Sequence, residues 1–114
     1  MSIWREDLSE SISLVGLSGR LDQTVTPKVE SALLKELEEG NGQLIVDMTE
    51  VSYVNSGGLR CLLTAWRKAN EHDDRIVLCA LSDRVKDVFE IVGFDKVFEI
   101  YETRSLAVQA LENS

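Results

Sequence analysis

The stretch Leu44-Ile45-Val46-Asp47-Met48-Thr49-Glu50-Val51-Ser52-Tyr53-Val54-Asn55-Ser56-Gly57-Gly58-Leu59-Arg60-Cys61-Leu62-Leu63 decides how this chain folds. Its first three residues are an apolar run closed by Asp47, which suits a strand at Gln43 to Met48 buried on both faces, as in a parallel sheet. A polar loop follows. Asn55-Ser56-Gly57-Gly58 then opens a helix, because Leu59, Leu62, Leu63 and Trp66 recur at the spacing of one helical face.

The same alternation extends in both directions. Upstream, Ile3 to Asp7 and Ile12 to Ser18 read as two strands joined by a short hairpin at Leu8-Ser9-Glu10, and Gly19 breaks the pattern. Val25, Val29, Ala32, Leu33 and Leu37 then line one helical face, with Thr26 placed to cap it, Pro27 at its first position and Gly40-Asn41-Gly42 as the stop. Downstream, Arg75 to Leu81 is a buried strand, and Val85, Val88, Phe89 and Val92 mark a helix stopped by Gly93. Val97 to Tyr101 is a weaker strand, and Leu106, Ala107, Ala110 and Leu111 mark a terminal helix.

The order β-β-α-β-α-β-α-β-α implies parallel pairing through right-handed crossovers, with only the first two strands antiparallel. The expected fold is α/β, a mixed four- to five-stranded sheet. If the sheet grows in one direction, those crossovers put the helices mainly on one face. Val46 and Val88 are expected in the core between sheet and helices.

Composition narrows the function. A chain of 114 residues has room for one domain, residues 1–114. Twelve Lys and Arg against twenty Asp and Glu give a net charge of −8, which repels nucleic acid and anionic membrane surfaces. No segment approaches the ~18 to 20 apolar residues of a membrane span, and the first residues lack the apolar stretch of a signal peptide, so a cytoplasmic location is expected. Cys61 and Cys79 lie in apolar contexts as free, buried thiols. With the single histidine they cannot supply the four ligands of a structural zinc, so neither metal nor cofactor is expected.

The helix start at Asn55 to Gly58 is the candidate site. It offers unpaired backbone N–H groups and the positive end of a dipole, and its two glycines permit close approach of a ligand or partner. It is neither a Walker phosphate loop nor a dinucleotide fingerprint. Ser56 or Asn55 caps the helix, and Ser56 is taken chiefly as that cap. Catalysis finds no support. His72 sits in the polar stretch Asn70 to Asp74, no Ser-His or Cys-His pair can be assembled around it, and Glu36, Glu38 and Glu39 read as solvated charge. Trp66 falls at a core-facing position, while Trp4 lies on an edge-like strand.

From about Ile12 to Leu111 the chain resembles the STAS family of anti-sigma factor antagonists and related sulfate-transporter domains. The resemblance rests on Gly19-Arg20-Leu21-Asp22, on Leu44-Ile45-Val46-Asp47, and on Val51, Tyr53 and Val54 followed by Ser56-Gly57-Gly58-Leu59. Cys79-Ala80-Leu81-Ser82, Val85, Phe89 and Val92-Gly93 complete it.

It implies a binding module and not an enzyme. Such a module captures an anti-sigma factor, often a serine kinase of the ATPase type, and frees a sigma factor, as a monomer or weak dimer. The partner-binding residues would be Asn55, Ser56, Gly57, Gly58, Leu59 and Arg60, with Asp22 as a polar neighbour. In regulated members the kinase phosphorylates the second residue of the pair before Gly-Leu, and a phosphatase restores it. That position here is Gly57, which has no hydroxyl; Ser56 stands one residue earlier, and Asn55 replaces the common Asp. The other readings are a sensor holding a nucleotide or anion at Asp22 and the helix start, and a scaffold module.

Overall fold

Hydrophobic periodicity sets the elements of the computed structural model, which describes residues 1–40 and 42–113. They are β1 (Ser2–Asp7), β2 (Ile12–Leu21), α1 (Thr26–Glu39), β3 (Gln43–Val54), α2 (Ser56–Glu71), β4 (Arg75–Cys79), α3 (Asp83–Ile91), β5 (Glu99–Tyr101) and α4 (Arg104–Glu112), with a 3-10 turn at Phe94–Lys96 before β5. The sheet order is β1-β2-β3-β4-β5, so each strand lies beside its sequence neighbour. Only β1 and β2 pair antiparallel; the other three pairings are parallel, with Val15 opposite Val46, Val46 opposite Leu78 and Leu78 opposite Ile100.

Side chains alternate across the sheet, and both faces are apolar. On one face Val15, Leu17, Val46, Met48 and Leu78 pack against Val29 and Leu33 of α1, Leu59, Leu62 and Ala65 of α2, and Val85 and Phe89 of α3. Phe89, Phe94 and Phe98 stack edge-on within this core, and Trp66 meets Phe98 at 6.3 Å between ring centroids. The opposite face carries Ile12, Leu14, Ile45, Val77 and Cys79, covered by Ala107 and Leu111 of α4. Three helices therefore share one face, as the crossovers require, and the fourth does not. α4 is not a crossover between any two of the described strands, and it covers the second apolar face of the sheet. Val46 is fully buried and Val88 half-buried.

Several boundaries differ from the sequence reading. β3 runs twelve residues, past Asp47 and through the expected loop. Asp47 does not end the strand because its Oδ1 accepts the N–H and the hydroxyl of Thr49 at 3.0 and 2.5 Å, satisfying it locally. Met48, Val51 and Val54 stay buried beyond it, and β2 extends alongside to Leu21 with register shifts around Gly16 to Ser18 and Gly19 to Arg20. Gly19 (φ +99°) bends β2 without breaking it.

At α1, Thr26 is inside the helix and no side chain caps it. The Asp22 carbonyl accepts from the Val25 and Thr26 N–H groups instead. Gly40 closes α1, and Asn41 of the expected stop lies outside the described residues. β5 is shorter than expected because Phe94 to Lys96 is helical.

Long-range ion pairs tie β1 to both layers. Arg5 donates from Nε and Nη2 to the Glu36 carboxylate of α1 at 2.7 to 3.1 Å, so Glu36 is engaged and not a free surface charge. Arg104 of α4 donates from both terminal nitrogens to Glu6 at 3.1 Å. Half-exposed Trp4 lies over Gly16, where any Cβ would collide with its indole.

Candidate functional site

Parallel strands bring the carboxyl ends of β2 and β3, and the start of α2, to one end of the sheet. Leu21 ends β2, and its carbonyl accepts the Asn55 N–H at 3.2 Å. Asn55 is in extended conformation and caps α2: its Oδ1 accepts the Gly58 N–H at 3.1 Å. The cap is therefore Asn55, and the expectation that Ser56 fills this role is corrected. Ser56 is the first helical residue, exposed, and its hydroxyl has no hydrogen-bond partner among the described residues. A one-residue offset in the helix boundary moved the capping side chain.

The other half of the Asn55 amide holds the neighbouring loop. Asn55 Nδ2 donates to Gln23 Oε1 at 2.6 Å, which fastens the loop after β2 onto the helix start. Gln23 lies over Gly57, where an added Cβ would stand 3.2 Å from Gln23 Cβ and 3.3 Å from Asn55 Oδ1. Gly58 is more tightly enclosed. A Cβ there would collide with the Leu21 carbonyl oxygen and stand 2.8 Å from Leu21 Cγ and 2.9 Å from Val54 Cγ2. So the two glycines differ. Gly58 is buried against the sheet, Gly57 is half-covered, and of the turn from Asn55 to Gly58 only Ser56 is open to solvent.

Asp22 precedes Gln23 and is drawn into the same cluster. Its Oδ1 accepts the hydroxyl and N–H of Thr24 at 2.5 and 3.0 Å, and these bonds hold its carboxyl below the ordinary carboxylate value. Arg20 stands 3.9 Å from the other oxygen, and its guanidinium lies 4.0 Å from the centroid of the Tyr53 ring. Sequence reasoning missed Gln23 as the clamp and Arg20 with Tyr53 as a stacked pair. Tyr53 was visible as part of the apolar pattern, but nothing chemical distinguishes Gln23 from any loop glutamine.

The helix presents two distinct flanks. Leu59, Cys61, Leu62, Ala65 and Ala69 are buried, whereas Leu63 and Trp66, expected inward, are half-buried. Arg60 and Arg67 are exposed, as their seven-residue spacing predicts for one outer face. The site thus combines a turn held rigid from both sides with an open helical face.

His72 closes the far end of α2, and among the described residues no group of three or more His, Cys, Asp or Glu side chains could hold a metal ion. Burial pushes the Cys61 and Cys79 thiols up to about 12, so neither is a thiolate nucleophile at neutral pH. No helix of the described residues is long and apolar enough to cross a membrane.

Known proteins resemble this chain along most of its length. The anti-sigma-B factor antagonist of Listeria monocytogenes is 38% identical over 85 residues, 74% of each chain. The protein of the same name from Staphylococcus aureus is 28% identical over 77% of this chain and 82% of its own. Among solved structures, an anti-sigma factor antagonist from Mycobacterium paratuberculosis superposes with a TM-score of 0.88 at 24% identity, covering 97% of this chain and 93% of that one. The antagonist SpoIIAA in its unphosphorylated form gives 0.83 at 18% identity, covering 99% and 98%; at such identities these two likenesses speak for the fold alone. The family model of the STAS domain matches residues 7–107, the span that holds the Asn55 turn, Asp22 and strands β2 to β5 with only the last residue of β1, and the chain belongs to the STAS domain family.

Proposed function

We propose that this chain is an anti-sigma factor antagonist: residues 1–114 act as one STAS domain in the cytoplasm, bind an anti-sigma factor of the kinase-like ATPase type, and so release a sigma factor. The observation that carries this reading is the clamped turn from Asn55 to Gly58 beside the open face of α2. Side chains there are pre-positioned by Asn55, Gln23 and Leu21, so docking costs little ordering entropy. The names of the Listeria and Staphylococcus relatives support the same partner class. The protein acts by binding and not by catalysis, as a monomer or weak dimer that regulates transcription without touching DNA. The sensor reading is less favoured, because Asp22 already spends one carboxylate oxygen on Thr24.

The switch is altered. Position 57 carries no hydroxyl, and Ser56 points ~100° around the helix from it, so a kinase that positions its acceptor at 57 has nothing to modify. A second reading rests on Ser56 itself. Its hydroxyl is exposed and unused by the cap, and a phosphate at a helix start is favoured by the free N–H groups. A partner phosphatase belongs only to that second reading.

Two measurements test the proposal. A pull-down or calorimetric titration against kinase-like anti-sigma factors of the same genome should give one binder; no binder would refute the function. Intact-mass analysis after incubation with that kinase and ATP should leave the wild type unmodified and add a phosphate to Gly57→Ser. A phosphate on wild type that disappears in Ser56→Ala would place the switch at Ser56.

A further inference from the structure

No acid stands between Glu50 and Glu71. In a chain with twenty Asp and Glu in 114 residues, this run of twenty residues, 51–70, is the longest without one. It carries three cations, Arg60, Arg67 and Lys68, so the remainder of the chain, with nine cations against twenty acids, has a net charge of −11. The acid-free run ends β3, forms the Asn55 turn and makes up nearly all of α2.

The structure leaves these cations unspent. Four arginines elsewhere are committed to carboxylates: Arg5 to Glu36 and Asp7, Arg20 to Asp22, Arg75 to Glu99 and Arg104 to Glu6. Arg60, Arg67 and Lys68 are exposed and form no ion pair among the described residues. Glu30 of α1 acts on the Cys61 thiol, on the flank where Cys61 Sγ meets the Thr26 carbonyl. Arg60 and Arg67 are two helical turns apart, so their Cα atoms stand ~10 Å from one another along α2.

We propose that the outer face of α2, from Ser56 through Arg60 to Arg67, docks an acidic face of a folded protein partner, with carboxylates spaced to meet both guanidiniums. The assignment rests on the proposed function for the identity of that partner and adds the chemistry by which it is recognised. Guanidinium favours carboxylate because its planar fork can donate two parallel N–H bonds. The surrounding negative field has a second effect: it turns away polyanions at long range, so only a partner whose acids are confined to a local patch reaches the stripe without net repulsion. This excludes nucleic acid as the occupant while retaining protein carboxylates.

The test has two arms. In the first, the isotopically labelled protein is titrated with a net-neutral helical peptide that carries two Glu seven residues apart, balanced by two Lys at its far end, and followed by amide shifts. Shifts should cluster on Ser56 to Lys68, persist in Arg60→Lys, Arg67→Lys, and vanish in Arg60→Glu, Arg67→Glu, whose otherwise unchanged spectrum verifies its fold. Shifts scattered over the surface, or unaffected by the reversal, overturn the proposal; so does an octathymidylate that binds the stripe as well as the diglutamate peptide does.

In the second arm, the anti-sigma factor that binds wild type is titrated against the same variants. The double reversal should weaken binding at least ~100-fold, and raising salt from about 50 to 300 mM should slow association ~10-fold. A binder indifferent to both overturns the acidic-partner assignment and leaves the antagonist function standing. Absence of any anti-sigma binder, with the diglutamate peptide still on the stripe, refutes the function and spares the surface.

Discussion

Gly57 and Gly58 are adjacent in the chain and should differ sharply in how far they tolerate an added side chain. At Gly58 an alanine Cβ meets the Leu21 carbonyl oxygen, Leu21 Cγ at 2.8 Å and Val54 Cγ2 at 2.9 Å. The carbonyl cannot retreat alone, because it accepts the Asn55 N–H at 3.2 Å and belongs to the end of β2. Relief requires α2 to lift from the sheet, at the expense of contacts made by buried Leu59 and Leu62. Overpacking of this kind costs ~1 to 3 kcal/mol, and here, against backbone, the upper end applies. Removing a helical glycine returns up to ~1 kcal/mol. The net for Gly58→Ala is a loss of ~2 kcal/mol or more.

At Gly57 the nearest atoms are Gln23 Cβ at 3.2 Å and Asn55 Oδ1 at 3.3 Å. Gln23 is a loop residue that can yield by a few tenths of an ångström, so Gly57→Ser should stay within ~1 kcal/mol of wild type. Urea denaturation followed by tryptophan fluorescence and by far-UV circular dichroism reads both. A Gly58→Ala protein as stable as wild type would show that α2 does not rest on Leu21 as described, and Gly57→Ser destabilised like Gly58→Ala would refute the distinction between them.

Three further outcomes are expected. Asn55→Ala should cost ~1 kcal/mol by removing the cap, whereas Ser56→Ala should change stability by less than ~0.5 kcal/mol; denaturant melts of the pair check which residue caps α2. Cys61 and Cys79, 3% and 0% exposed, should resist a thiol-titrating disulfide reagent at pH 8 in the native state and react in denaturant, and prompt native reaction would contradict their burial. Arg75 holds the Glu99 carboxyl below its ordinary value, chiefly by hydrogen bonding. The stabilisation from this depressed carboxylate is present at neutral pH and is lost as pH falls through and below the usual carboxylate range, so wild type should lose more stability than Glu99→Gln between pH 7 and pH 3. The pair is largely solvated, which limits the difference to under ~1 kcal/mol, and parallel slopes in pH-dependent melts would remove the pair from the ledger.

The elements and their order were readable because period, not propensity, carries them. Val29, Leu33 and Leu37 are buried in α1, and Leu44, Ile45 and Val46 in β3, where their spacing put them. What periodicity does not encode is which side of a sheet a helix will cover. The face of α4 marked by Ala107 and Leu111 was visible; its seat on Ile12, Leu14 and Ile45 follows from the sheet's second apolar face, a tertiary fact. The second half of β3 was hidden for another reason. Thr49, Glu50 and Ser52 are exposed and polar, and the irregular register with β2 disrupts strict alternation, so an extended strand read as a loop. At the site, Arg60 and Arg67 were legible from spacing. The Ser56 to Asn55 reassignment turned on one residue, and the Gln23 clamp required loops 32 residues apart to meet.

That strand order equals sequence order has a consequence for biogenesis. As the chain emerges during synthesis, β2 meets a β1 already made, β3 meets β2, and every later strand finds a finished edge waiting. No strand must be inserted between two earlier ones, so no early pair has to form and then open. The loops to be closed are short crossovers, and the entropy of each closure is met by contacts made in the same step. α4 arrives last. Until Arg104 reaches Glu6 across 98 residues, the face bearing Ile12, Leu14, Ile45 and Val77 stays bare, and a nascent or truncated chain lacking α4 should be a chaperone client and prone to aggregate through that face.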